Sequence, residues 1–189
     1  MKSQRSTEAR RNCGLELYSE KVRHARDFIS LGEKKAAEAR LTEVPEEKEN
    51  IYRCALSAFE AATAVDPRDP QPFLALGRFY LDFGNLLGAE KAYRDVLSVK
   101  LDATDAYLGL VEIAMRRGDE AAEILLLETM LQKSKNPPND AYRQLGDLYE
   151  KSGHRSRARK VWKRYLVLLK PSAKEERARL RKRLKELSH

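Results

Sequence analysis

One pattern occurs twice in this chain and limits what it can become. Phe73-x-x-Leu76-Gly77-x-x-Tyr80 is followed by a Gly84-Asn85 turn and by Ala89-x-x-x-Tyr93. Tyr142-x-x-Leu145-Gly146-x-x-Tyr149 is followed by Gly153 and by Ala158-x-x-x-Trp162. Large and small residues fall three and four apart, so each segment is a short helix with one packing face. A glycine on the first helix and an alanine on the second let the two approach closely. The aromatic residues fill the space between neighbours, and Tyr80, Tyr93, Tyr149, Trp162 and Tyr165 are expected in the core.

The pattern resembles the tetratricopeptide repeat (TPR), a helix–turn–helix unit of about 34 residues. The resemblance implies an all-α chain: a TPR-type α-solenoid of antiparallel helix pairs, about four repeats with the first divergent, closed by a C-terminal capping helix. Leu76, Leu110 and Leu145 mark the register. The expected division is a disordered basic N-terminus over 1–14, repeats over 15–171 and a basic capping helix over 172–189. Within the repeat region the units fall at 15–68, about 70–103, 104–138 and 139–171.

The first unit departs most from the pattern. An apolar stripe of Tyr18, Val22, Ala25 and Ile29 predicts one long helix from about Leu15 to Leu41, interrupted at Gly32. Leu31-Gly32 can stand where Leu76-Gly77 stand, but about eleven extra residues then precede Ala55-x-x-x-Phe59. An elongated first helix absorbs them in this reading. Pro45, with Glu46 and Glu47 behind it, starts the second helix. Asp69 and Pro70 cap and open the next unit. The third unit is degenerate: Val111 replaces the glycine, Ala114 the tyrosine, and Glu123 falls where alanine is expected. Ala121 and Ala122 suggest a second helix that is shifted or rotated. Ser172-x-x-Glu175 reads as a capping box opening the last helix, whose narrow stripe is Ala173, Leu180, Leu184 and Leu187.

In the family, the first helices of the pairs line a concave groove that holds a ligand. By alignment this gives Gln71, Leu74, Arg78, Leu81 and Asp82 in the second unit. The third contributes Asp105, Leu108, Glu112, Met115 and Arg116. The fourth contributes Asp140, Arg143, Gln144, Asp147, Glu150 and Lys151. The groove would run from apolar (Leu74, Leu81, Leu108, Met115) to mixed charge. Family members that grip a chaperone's C-terminal carboxylate use Lys and Asn where Leu74 and Arg78 stand, which argues against that ligand class. The implied function is an adaptor or scaffold holding a protein or peptide partner. The rival reading is that the N-terminal helix, or a second copy, covers those apolar residues.

The charge is uneven. Residues 1–150 carry a net −4 and residues 151–189 a net +12. Arg155, Arg157, Arg159, Lys160, Lys163 and Arg164 crowd one helix, and Arg177, Arg181 and Lys185 on the capping helix are candidate anion-binding residues. A nucleic-acid-associated protein is therefore the alternative function, and a chaperone of a secreted or assembly-prone subunit a third.

Nothing points to an enzyme. His24, His154 and His189 show no nucleophile or two-His metal arrangement, and there is no glycine-rich phosphate loop. No cofactor or metal is expected. Cys13 and Cys54 lack metal-site spacing and read as free thiols of a cytoplasmic protein, a disulfide being the alternative. The first twenty residues hold no apolar run of the signal-peptide kind, and no stretch approaches a membrane span of about 18 residues.

Overall fold

The computed structural model describes Cys13 and residues 24–188. Among these there are nine α-helices and no strand. They are α1 (Ala25–Leu41), α2 (Pro45–Val65), α3 (Pro70–Asp82), α4 (Leu86–Val99), α5 (Thr104–Arg117), α6 (Glu120–Lys133), α7 (Asn139–Lys151), α8 (Arg155–Leu168) and α9 (Lys174–Glu186). The chain divides into two compact units between Leu101 and Asp102. The first holds α1–α4 and the second α5–α9.

In the first unit α1 packs on α2 and α3 on α4, while α3 also meets α1 and α2. Two close approaches set these pairs. A side chain at Gly32 would start 2.8 Å from the Phe59 ring, and one at Gly77 2.8 Å from the Tyr93 ring. Only glycine lets the helices stand this near. The Gly32–Phe59 contact also locates the extra residues of the first pair. Nine residues of α1 follow Gly32 against five of α3 after Gly77, and fourteen of α2 precede Phe59 against seven of α4 before Tyr93. The extension is thus shared by both helices, with the larger part on α2. Tyr52, Phe59, Phe79 and Phe83 form an aromatic cluster, with ring centroids 4.9 Å apart for Tyr52–Phe79 and 5.2 Å for Phe59–Phe79. It joins α2 to α3, with Ala36 and Ala55 beside it.

Two expectations for this unit are corrected. His24 is an extended residue (φ −125°, ψ 138°) capping α1, so no single helix runs from Leu15 to Leu41. Tyr18 and Val22, like the expected disordered N-terminus over 1–14 apart from Cys13, lie outside the described residues. The cysteines are not free thiols: Cys13 and Cys54 form a disulfide, 41 residues apart in sequence with Cα atoms 5.3 Å apart. Spacing alone could not reveal this, because the two cysteines are far apart in sequence and meet only in the folded chain, where Cys13 reaches Cys54 of α2.

The second unit repeats the pairing in α5–α6 and α7–α8, and α9 packs on α8. At Gly146 the approach is closest, a Cβ there falling 2.5 Å from the Trp162 ring. In α5–α6 the corresponding residues are Val111 and Leu127, both buried. A mid-sized residue on each helix replaces glycine against a ring, which conserves volume. The expected shift of α6 is not found. Glu123, Leu127 and Met130 are buried at the positions of Ala89, Tyr93 and Val96, so α6 keeps its register and accommodates a glutamate where the other pairs have alanine.

Local signals fix the helix ends. Gly84, Gly118 and Gly153 turn the chain with φ of 77°, 68° and 75°, the left-handed region that glycine enters without strain. Asp69, Asn85 and Asp119 accept from backbone N–H groups of α3, α4 and α6. The capping box at Ser172 does not form: α9 begins at Lys174 behind Ala173, with no side-chain cap. Its anchors are elsewhere. Leu180 is buried, Tyr165 Oη donates to Glu176 at 2.5 Å, and Arg177 Nη1 donates to the carbonyls of Leu166 and Leu169 at 2.9 and 2.6 Å. Leu184 and Leu187 are half-buried.

Candidate partner-binding faces

The sixteen expected groove residues separate sharply by environment. In the first unit Leu74 and Leu81 are each only 5% exposed. They belong to the core, not to an open surface. Their helix α3 is packed on several sides at once: Gly77 against α4, Phe79 against α2, with α1 alongside. Gln71, Arg78 and Asp82 remain at least partly exposed, and Asp82 is held by Arg40 at 3.0 Å.

On the second unit Leu108 is 38% exposed and Met115 54%. Seven residues apart on α5, they share one stripe with Glu112 between them, flanked by Asp105 and Arg116 at the surface. From α7, Gln144 reaches this stripe. Its amide nitrogen lies 3.2 Å from Met115 Sδ and donates to Glu123 Oε1 at 2.6 Å. Gln144 thereby satisfies the buried carboxylate that breaks the repeat pattern. Arg143, Asp147 and Lys151 are exposed on α7.

Most of the surrounding charge is already paired. Arg116 meets Glu112 at 2.6 Å, Arg143 meets Asp140 at 2.8 Å, and Lys151 meets Glu120 at 2.6 Å. Glu120's hydrogen bond and charge hold the Lys151 ammonium above its ordinary range. Asp147 and Glu150 both bind Arg183 of α9 at 2.6 Å. Burial works to lower the Arg183 pKa, but these two carboxylates outweigh it and raise it. Its guanidinium lies 4.5 Å from the centre of the Trp162 ring. The face thus combines two exposed apolar side chains with a rim of internally neutralised charge.

The three candidate anion-binding residues do not form a set. Arg177 is committed to the last carbonyls of α8, whereas Arg181 and Lys185 are exposed. Sequence reasoning missed Arg183, and no spacing singles it out among the cations of α9. Among the described residues no group of three or more His, Cys, Asp or Glu is placed to hold a metal, and no helix is long and apolar enough to cross a membrane.

Two buried phenols give this unit a pH signature. Burial, then hydrogen bonding to Glu128, pushes Tyr149 up to about 12, with Arg157 opposing. Burial and the Glu176 carboxylate likewise push Tyr165 up to about 12. Both are raised above the unfolded value of about 10. Their stabilisation is therefore complete below that value and is lost as pH rises through about 12. An alkaline titration followed by tyrosinate absorbance and circular dichroism should show late-titrating tyrosines ionising together with loss of helix. Ionisation of all tyrosines near pH 10 with the helices intact would refute the assignment.

A family model described as tetratricopeptide repeat matches residues 48–98 and 74–141. No curated protein matches the chain. Among solved structures, a thermophilic TPR protein in Thermus thermophilus is similar with a TM-score of 0.58 and 21% identity, over 71% of this chain and 69% of that one. The MamA protein is similar at TM-score 0.56 and 19% identity, over 86% and 89% of the two chains. YrrB, a TPR protein with an unusual peptide-binding site, is similar at 0.56 and 14%, over 80% and 72%. These likenesses show the fold: all-α, of the α-solenoid class. The repeat pattern, the glycine–aromatic contacts and the family match agree, and the chain belongs to the tetratricopeptide repeat family.

Proposed function

We propose that the protein is an adaptor or scaffold that binds a protein or peptide partner on the α5–α7 face of its second unit. The observation that carries this reading is the exposure of Leu108 and Met115 on one stripe of α5 beside Gln144 of α7. Exposed apolar residues grouped in this way commonly mark an interaction site, and methionine adapts its shape to different surfaces. The paired charges around the stripe suit a rim that orients a partner helix or extended segment without dominating its affinity. YrrB's peptide-binding site supports the same use of the fold.

The Cys13–Cys54 disulfide supports an oxidising compartment. It weighs against the cytoplasmic expectation, and with it against a nucleic-acid partner.

The test is affinity capture with wild type and the double variant Leu108→Ser, Met115→Ser. Both sites are on the surface, so stability should change by less than about 1 kcal/mol while partner recovery is lost. Undiminished recovery by the variant would reject this face.

A further inference from the structure

The outward side of α8 carries a second surface, independent of the α5–α7 face. Ala158, Trp162, Tyr165 and Leu169 point the helix and its C-terminal end into the core. Ser156, Lys160, Lys163, Arg164 and Val167 recur three and four apart on the opposite side, and all five are exposed. The helix holds six Lys or Arg and no acid. Among the described residues no carboxylate pairs with Lys160, Lys163 or Arg164, although Arg164 also lies 5.7 Å from the centre of the Tyr142 ring. At the end of this cationic stripe Val167 is 83% exposed and Leu168 47%, followed by exposed Lys170. On α6, Leu125 is 62% exposed.

We propose that this face of α8 docks the protein on an anionic membrane surface. Cations in water with apolar side chains among them match the headgroup–acyl boundary, where lysine and arginine meet lipid phosphates and the apolar groups leave water. A polyanion such as nucleic acid would engage the cations but would gain nothing from Val167 and Leu168. The rings beneath, Tyr142, Tyr149 and Trp162, are buried and offer no face on which bases could stack. The disulfide supports an oxidising setting, where nucleic acid is not the expected anion. Docking by this face leaves Leu108 and Met115 unused, so membrane attachment and partner capture are separable.

The experiment is cosedimentation of the intact chain with vesicles of phosphatidylcholine alone and of phosphatidylcholine mixed with phosphatidylglycerol. Binding is expected only to the mixed vesicles and should weaken with salt. Lys160→Glu with Lys163→Glu and Arg164→Glu should lower partitioning by about a hundredfold or more, since each surface cation contributes roughly fivefold. Val167→Ser, which alters no charge at a solvent-facing site, should lower it severalfold with the salt dependence retained. Absence of binding to the mixed vesicles at low salt would overturn the proposal. So would binding indifferent to Val167→Ser and matched by equal affinity for duplex DNA, which would identify a general polyanion surface.

Discussion

Replacing Trp162 with alanine should cost about 3–5 kcal/mol, the range for removing a large buried aromatic side chain. Three features place it there. The side chain is fully buried and its ring fills the space that Gly146 leaves open. Its indole nitrogen donates to Glu150, whose carboxylate also binds Arg183. The Arg183 guanidinium lies over the ring. The substitution therefore opens a cavity in the α7–α8 pair, removes a donor from Glu150, and takes away the surface on which α9 is anchored. Thermal unfolding by circular dichroism should show the second unit melting roughly 6–20 °C lower for a chain of this size. A shift of less than about 2 °C would mean that α7, α8 and α9 are not joined through this residue.

The second large effect concerns the disulfide. A cross-link between residues 41 apart removes loop-closure entropy from the unfolded chain, about 4 kcal/mol on the chain-entropy relation. Replacing Cys13 and Cys54 together with serine should lower stability towards that amount. A reductant should reproduce the loss in the wild type and leave the double variant unaffected. Mass spectrometry after alkylation without reductant should find neither thiol labelled. Labelling of both, with no stability difference between the proteins, would contradict the cross-link.

How much of this could be read from the chain depended on whether a feature is local. Gly77 opposite Tyr93 and Gly146 opposite Trp162 are each encoded within one helix pair, so the pattern carries them directly. Gly32 and Phe59 follow the same rule at longer range, and the sequence could pair them only by allowing for extra residues whose place it did not specify. Leu74 and Leu108 show the limit. They stand 34 residues apart at one position of the repeat, as do Leu81 and Met115, yet the first of each pair is buried and the second exposed. Periodicity assigns a residue to a face of its helix. What covers that face is decided by neighbours that no local pattern encodes. Glu123 teaches the converse: with a glutamate at the alanine position, Ala121 and Ala122 beside it suggested a displaced helix, but Gln144, 21 residues on, supplies the hydrogen bond that lets Glu123 stay. Arg177 looked like one more surface cation until the carbonyls at the end of α8 were in view.

Site-specific photocrosslinking locates the partner-binding face directly. A photoreactive amino acid is placed in turn at Met115 and Leu108 on the α5 stripe, and at exposed Ser98 on α4 as a control. Covalent partner adducts are expected from positions 115 and 108 and none from 98. Adducts from 98 with none from 108 or 115 would contradict this expectation and move the partner-binding face off the second unit.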